Sequence, residues 1–118
     1  MKMVICQNGN QKMNEKITEI KIEFFNKHNW RCERCGQPAQ DLAHRIAKTE
    51  ANKRMIYNYC LTRHSVKLKK CEIEKVIHHK FNLACSCKQC NDYFNIGNRP
   101  MRVKELLTII LKDLRYVM

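Results

Sequence analysis

Two cysteine pairs with the same spacing constrain this chain more than any other feature. Cys32 and Cys35 form one C-x-x-C pair, Cys87 and Cys90 form another, and 51 residues separate the two pairs. A C-x-x-C turn lets two thiolates face one cation, and two such turns complete a tetrahedral site. The spacing therefore predicts a closed four-cysteine zinc site with a structural role. It disfavours the alternative of two unrelated pairs of buried thiols.

Four further cysteines stand outside this pattern, namely Cys6, Cys60, Cys71 and Cys85. Cys85 competes with Cys87 as a ligand, but Cys87 restores the two-residue gap to Cys90 and is preferred. The other three are interpreted as buried or idle thiols. A second metal site from Cys60, Cys71 and a nearby histidine is the alternative.

Because the N-terminal stretch lacks an apolar region long enough for a secretory signal, we expect a reducing, cytoplasmic environment.

The chain is strongly basic. Lys plus Arg outnumber Asp plus Glu by 23 to 11, and the net charge is +12 on 118 residues. Such an excess favours a polyanionic partner, most often nucleic acid. An anionic membrane is the competing partner, but charged residues interrupt the one long apolar stretch near the C-terminus. We therefore expect no segment that spans a bilayer.

Hydrophobic periodicity predicts amphipathic helices on both sides of the cysteine pairs. One covers residues 12–28, with its stripe at Met13, Ile17, Ile20 and Phe24, and the other covers residues 101–118, with its stripe at Val103, Leu107, Ile110, Leu114 and Val117. Between them, DLAHRI is typical of a short strand, and NDYFNIGNRP is expected to open helically and stop at Gly97. Residues 48–80 show only weak helical character. Together these elements predict one α+β domain over residues 1–118.

Four elements in the same order resemble the HNH endonuclease family: CERC at 32–35, LAHRI at 42–46, NL at 82–83 and CKQCN at 87–91. The five-residue step from Asn82 to Cys87 is also the family's usual one. The resemblance covers residues 30–100 and implies a small ββα-metal core braced by the zinc site. It implies hydrolysis of DNA phosphodiester bonds with a divalent cation. The resemblance is to small phage and bacterial members, and a phage-encoded protein would act in the host cytoplasm.

The resemblance implies roles for four polar residues. His44, in the family's strand position, would be the general base that activates water. Asn82 would hold the loop through backbone hydrogen bonds and orient the imidazole. Asn91 replaces the last histidine of the family name, and its amide oxygen suits Mg²⁺ or Mn²⁺. Asn95, four residues further on the expected helix, would face the same cation.

Two alignments of the strand motif remain open, because Ala43 stands where many family members carry a metal-ligating Asp or His. In the preferred alignment, His44 is the base and the cation has few protein ligands. In the other, His44 is a ligand and another group is the base. His79 fits a histidine that is common three residues before the central Asn, which implies a structural or phosphate-facing role. His28 and His64 are expected to be surface residues.

The segment between the two halves of the motif is rich in positive charge. From Arg45 to Lys80 there are ten Lys or Arg against three Glu. Its position favours a grip on the phosphates of double-stranded DNA, with the expected contacts at Arg45, Lys67, Lys69, Lys70 and His79. The rival interpretation is a zinc-ribbon nucleic-acid-binding protein without catalysis, which Ala43 and Asn91 keep open. An RNA-processing enzyme is a third interpretation, and the sequence leaves the oligomeric state unspecified.

Overall fold

A computed structural model describes residues 19–118 and shows mixed helices and strands. Helix α1 occupies residues 19–27 of the described part. It is followed in chain order by strand β1 (Asp41–His44), helices α2 (Glu50–His64) and α3 (Lys70–Ile77), strand β2 (Leu83–Ser86) and helix α4 (Pro100–Asp113). Two short 3-10 segments, Lys80–Asn82 and Asn91–Phe94, lie on either side of β2. The α+β class expected from the sequence is confirmed.

The sheet is a two-stranded antiparallel pair. Asp41 lies opposite Ser86, and His44 lies opposite Leu83. The short strand predicted at DLAHRI is therefore present, although it ends at His44. Its partner comes from the segment between Asn82 and the second cysteine pair. This pairing brings the two halves of the sequence motif side by side.

The stretch at 48–80, which the sequence left without a clear fold, contains two helices. Thr49 is the N-cap of α2, and its side-chain oxygen accepts a hydrogen bond from the backbone N–H of Asn52 at 3.1 Å. Ser65 ends α2 in the left-handed conformation, with φ of 56°. The chain then turns into α3, which buries Ile73, Val76 and Ile77. These two helices carry half of the Lys and Arg residues noted in the segment, and the others lie in the connections beside them.

Helix α4 begins with Pro100 in its first turn, as the sequence predicted. Val103, Leu107 and Ile110 are buried, as expected, and Leu111 is buried beside them. The helix ends at Asp113, however, so Leu114 and Val117 follow it instead of continuing its stripe. Arg115 takes a positive φ of 61° just after the end, which turns the chain. Both Leu114 and Val117 still pack against the main core.

Helix α1 agrees only in part with the expected helix at 12–28. Met13 and Ile17 lie outside the described residues. Ile20 and Phe24 are half-buried, whereas Phe25, which the predicted stripe left out, is only 1% exposed. Phe25 packs with Ala39 and Cys85 in a small cluster on the strand pair. Helix α1 is therefore anchored mainly through Phe25.

The main apolar core lies among the helices and not under the sheet. Its fully buried members include Ile56 and Cys60 of α2, Ile77 of α3, and Leu107 and Ile110 of α4. A second cluster surrounds the paired cysteines and includes Ala43, Ala84 and Phe94. Residues of both strands thus belong to the cysteine-lined cluster, and the larger core is formed mainly by the helices.

Replacing Leu107 with Ala is expected to destabilise the protein by about 2–5 kcal/mol, because a fully buried leucine leaves a cavity when it is truncated. Ile109→Ala on the same helix is the matched control. Ile109 is 53% exposed, so its loss should change the free energy of unfolding by about 0.5 kcal/mol or less. Urea unfolding of both variants in the presence of zinc measures the difference. Equal effects of the two substitutions would contradict the burial pattern of α4.

Candidate functional site

The first cysteine pair lies on a tight turn that is fastened to β2. Within the turn, the N–H of Cys32 donates to the carbonyl of Gln37 at 2.7 Å, and the N–H of Gly36 donates to the carbonyl of Cys32 at 3.0 Å. Gly36 has a φ of +78°, a conformation that glycine adopts without strain. Glu33 joins the turn to β2, because its carboxylate accepts the Cys85 N–H at 2.7 Å and its own N–H donates to the Cys85 carbonyl at 3.0 Å. The turn is therefore held at the edge of the strand pair.

The second cysteine pair follows directly from the end of β2 and meets the first. The sulfur atoms of Cys32, Cys35, Cys87 and Cys90 all lie within 4.8 Å of one another. The Cys35 and Cys87 sulfurs are 3.6 Å apart. A tetrahedral site with metal–sulfur bonds of about 2.3 Å has sulfur–sulfur edges of about 3.8 Å, so this spacing fits zinc. The four cysteines are positioned to bind a metal ion, as the spacing predicted.

Backbone hydrogen bonds favour a thiolate within this cluster. Burial acts to raise the pKa of Cys32, but hydrogen bonds from the backbone of Cys87, Cys35 and Arg34 outweigh it and lower the pKa to about 6. The Arg34 guanidinium lies 3.8 Å from the Cys90 sulfur and stacks on the exposed Tyr93 ring. Four thiolates this close repel one another, so a cation is the natural counter-charge for the complete set.

The remaining described cysteines lie outside the cluster. Cys85 is fully buried in β2, with its sulfur 3.7 Å from the carbonyl oxygen of Phe24, and burial raises its pKa to about 11. Cys87, and not Cys85, therefore belongs to the cluster that is positioned to bind a metal ion, as the two-residue gap predicted. Burial also raises the pKa of Cys60 to about 11. Cys71 is disulfide-bonded, so the interpretation of Cys71 as an idle thiol or a metal ligand with Cys60 is wrong. Cys6 lies outside the described residues.

His44 ends β1 and contacts a histidine that sequence reasoning did not select. Its Nε2 atom lies 3.1 Å from Nδ1 of His78, at the C-terminal end of α3. The pKa of His44 is lowered to about 4, mainly by burial and to a smaller extent by the nearby His78 and Lys48. A hydrogen bond with the Leu42 backbone opposes this shift. Burial also lowers the pKa of His78. Both imidazoles are therefore neutral at pH 7.

Asn82 lies buried between the segments that carry these two histidines. Its side-chain NH₂ donates to the carbonyls of Ile77 and Ile46 at 2.7 and 3.1 Å, and its Oδ1 accepts the Ile46 N–H at 2.8 Å. Its own carbonyl accepts the N–H of Arg45 at 2.8 Å. Asn82 thus joins the end of β1 to the end of α3, beside the contact between His44 and His78. These hydrogen bonds hold the loop after β1, and the further role expected for Asn82, orienting the imidazole of His44, stays a prediction.

His79 points away from His78 and has structural partners. Its Nδ1 accepts the N–H of Phe81 at 3.0 Å, so Nε2 carries the proton and donates to Asp113 at 2.7 Å. His79 is 8% exposed. With both ring nitrogens engaged and the ring buried, His79 is poorly placed to meet a phosphate. The structural role, which the sequence left open beside the phosphate-facing one, accounts for these contacts.

Asn91 and Asn95 do not share a helical face. Asn91 is half-buried and begins the 3-10 segment Asn91–Phe94, which packs against β1. Because that segment ends at Phe94, the expected helix up to Gly97 is wrong, and Asn95 is extended with ψ of 122°. The Oδ1 atom of Asn95 accepts the N–H of Gly97 at 2.7 Å. The i+4 argument for a cation shared by Asn91 and Asn95 therefore loses its geometric basis.

The lysines expected to contact nucleic acid lie at one end of α3, and the paired histidines His44 and His78 lie near its other end. Lys67, Lys69 and Lys70 are exposed and lie at the N-terminal end of α3. His78 follows the other end of this helix, about 12 Å away at 1.5 Å per residue. Arg45 is half-buried, with its guanidinium 3.9 Å from the Glu33 carboxylate and above the ring of Phe94. The exposed lysines thus lie roughly one helix length from the paired histidines.

Two members of the site, His78 and Glu74, were missed by sequence reasoning. Glu74 Oε1 lies 3.6 Å from Nε2 of His78, and Glu74 Oε2 lies 2.7 Å from Nζ of Lys53. The one available signal was their i,i+4 spacing, which aligns Glu74 and His78 on one helical face. This spacing could not be interpreted from the sequence, because helix α3 was not predicted.

Comparison with models of protein families, with curated proteins and with solved structures finds no match to this chain. Across residues 19–118, the helices are all too short or too polar to cross a bilayer.

Replacing Cys87 with Ser is expected to abolish metal binding and to unfold the strand pair, because a structural zinc contributes on the order of 10 kcal/mol to folding a small domain. Cys85→Ser, two residues away, is the matched control and should retain the metal while losing some packing. Metal content by mass spectrometry and thermal unfolding measure both variants. A Cys87→Ser protein that keeps its zinc and its stability would refute the assignment.

Proposed function

We propose that this chain is an HNH-type endonuclease that hydrolyses DNA phosphodiester bonds with a divalent cation and is braced by a structural zinc. The observation that carries the proposal is the position of His44. It stands at the end of a strand that pairs with the segment leading into the second cysteine pair. Asn82, buried and hydrogen-bonded on three sides, fixes the backbone beside it. The same residues carry the family resemblance in the sequence.

Zinc is the metal best suited to the cysteine cluster. Four thiolates form a closed tetrahedral set with no open position for substrate, which is typical of structural zinc. The backbone N–H groups that favour the Cys32 thiolate and the nearby Arg34 guanidinium both offset the negative charge of such a centre. The cluster therefore supports the fold, and the chemistry belongs to polar residues elsewhere on the strand pair.

Hydrolysis requires that a water oxygen attack phosphorus while the bond from phosphorus to a sugar oxygen breaks. The water loses a proton to an acceptor, and the departing oxygen gains one. A divalent cation supplies charge stabilisation at the phosphate when it is bound. His44 is neutral at pH 7, so it can accept a proton from water or offer a lone pair to a cation. Both activities suit its place at the strand end.

The positive charge supports DNA as the substrate. The exposed lysines at the start of α3 lie about one helix length from His78, a distance that spans neighbouring phosphates of a duplex. Contacts of this kind position the protein on DNA but read little sequence. The proposal therefore assigns these lysines to affinity and not to specificity.

A zinc-ribbon binding protein without catalysis is the rival function, and one observation favours it. Ala43 is 1% exposed and packs into the cluster around the paired cysteines. A side chain that ligates a metal, as many family members carry there, is absent at this position. The rival predicts DNA binding without cleavage, so one assay separates the two functions.

The His44→Ala variant is expected to lose at least about 100-fold in cleavage rate, because general bases typically contribute 10²- to 10⁴-fold. Zinc content, circular dichroism and DNA binding should remain at parental levels. Conversion of supercoiled plasmid to nicked and linear forms with Mg²⁺, Mn²⁺, Co²⁺ or Ni²⁺ measures the rate, with EDTA as the blank. His28→Ala is the matched control, since His28 lies on the turn after α1. Full activity of folded His44→Ala protein would defeat the assignment, and inactive parent protein with every metal would support the rival.

Charge reversal at Lys67, Lys69 and Lys70 is expected to weaken DNA binding equally for all sequences. It should also flatten the dependence of affinity on salt, because each lost phosphate contact lowers the slope by about one. Reversal of Arg102, Lys104 and Lys112 on α4 is the control, because it changes the net charge by the same amount. Fluorescence anisotropy between low and high salt measures both variants. If the two triple variants lose the same affinity, total charge and not the α3 lysines governs binding.

A further inference from the structure

The distance between His44 and His78 is that of a direct hydrogen bond, and it also fits two ligands on one cation. Nε2 of His44 and Nδ1 of His78 are 3.1 Å apart, and the rings meet edge to face at 79°. For metal–nitrogen bonds of about 2.1 Å, adjacent ligands lie about 3.0 Å apart in an octahedral site and about 3.4 Å apart in a tetrahedral one. The observed separation falls between these two values. The two nitrogens are therefore close enough to share one metal ion.

The outward-facing groups complete the pattern that is usual around metal-bound histidines. Such histidines almost always donate their other ring N–H to a carboxylate or a backbone carbonyl. His44 has a hydrogen bond with the Leu42 backbone, and Nε2 of His78 faces Glu74 Oε1 at 3.6 Å. Glu74 is itself held by Lys53 at 2.7 Å. Each imidazole therefore has an outer partner that would orient it toward a shared cation.

Two neutral imidazoles carry two N–H groups between them. When these point outward, to the Leu42 backbone and toward Glu74, two lone pairs face each other between His44 and His78, and a cation between the rings satisfies both. When no cation is bound, one N–H···N hydrogen bond joins the rings at 3.1 Å, because the Glu74 oxygen at 3.6 Å is too distant to require a proton.

We propose that His44 and His78 together bind a divalent transition-metal ion, with Glu74 as the outer partner of His78. Imidazole ligands select Ni²⁺, Co²⁺ or Zn²⁺ over Mg²⁺, which prefers oxygen ligands. Two protein nitrogens leave other positions on the cation free. Because His78 is 9% exposed and His44 is half-buried, a water or phosphate oxygen would reach the cation from the side of His44. This site shares no residue with the four-cysteine cluster. Its part in cleavage rests on the proposed endonuclease function. Of the two roles open to the neutral imidazole of His44, base and ligand, this site uses the ligand role, and His44→Ala is expected to lose cleavage in either.

Nickel titration of the zinc-loaded protein tests the site directly. Isothermal calorimetry is expected to show one Ni²⁺ bound per chain in addition to the structural zinc. His78→Gln should weaken Ni²⁺ binding by at least tenfold, because the glutamine amide cannot take the place of Nδ1. Glu74→Gln should weaken it by about 10- to 100-fold. His28→Gln, the matched control, should bind as the parent does.

Zinc content and circular dichroism, measured on each variant, separate loss of the site from loss of the fold. Paramagnetic broadening by Ni²⁺ of the ring signals of His44 and His78, but not of His28, would support the site. Absence of a second metal at millimolar Ni²⁺ would overturn it, and so would equal affinity of folded His78→Gln and parent. Either result would mean that His44 and His78 are joined by a hydrogen bond and bind no metal ion.

Cleavage assays then separate this proposal from the proposed function. If the parent binds Ni²⁺ at the histidines but cuts no DNA with any metal, the site stands and the endonuclease function fails. If raised Ni²⁺ or Co²⁺ concentration restores much of the cleavage by His78→Gln, the role of the site in cleavage is supported. If His78→Gln cleaves like the parent at every metal concentration, the endonuclease stands and the role of the site in cleavage is overturned.

Discussion

The approach of the two cysteine pairs is the constraint on which the rest of the site depends. Cys32 and Cys35 lie on a turn before β1, whereas Cys87 and Cys90 follow β2, so a metal bound to all four clamps both strands at one end. The sheet has only two strands of four residues each, and such a pair is marginal in water by itself. The cluster and its covering residues Ala43, Ala84 and Phe94 supply the packing that the strands lack. The position of His44 follows from this clamp.

At the other end of the strands, the hydrogen bonds of one buried side-chain amide hold the chain in place. Asn82 is 1% exposed and bridges the ends of β1 and α3 through its side chain. A buried polar group is tolerated only where its hydrogen bonds are satisfied, and the three bonds of this amide meet that condition. Any substitution would leave backbone groups of Ile46 and Ile77 without partners. The cysteine cluster at one end and the Asn82 amide at the other therefore determine where the histidines lie.

Predictions from the sequence were most accurate where a residue pattern is compatible with few different structures. Paired C-x-x-C spacing identified the four clustered cysteines, and Pro100 with its apolar stripe identified α4. Prediction failed where tertiary contacts decide the structure. The segment after Asn91 has the composition of a helix, but Asn95 bonds to the backbone of Gly97 and the helical turn ends early. Helix α2 was not recognised because its exposed charges obscure the short apolar face at Ile56 and Cys60. Without these helices, the meeting of His78 and Glu74 with His44 was beyond sequence reasoning.

The long connection between the two strands also has a consequence for folding kinetics. Most two-stranded antiparallel pairs are closed by a tight turn, but here β1 and β2 are joined through α2, α3 and a 3-10 segment. Closing so large a loop costs entropy before any strand contact forms. Helices form from local contacts within microseconds, whereas non-local pairings form later. The strand pair, and with it the complete set of four sulfurs, should therefore assemble after the helices. A metal that needs all four sulfurs would then be captured late on the folding pathway.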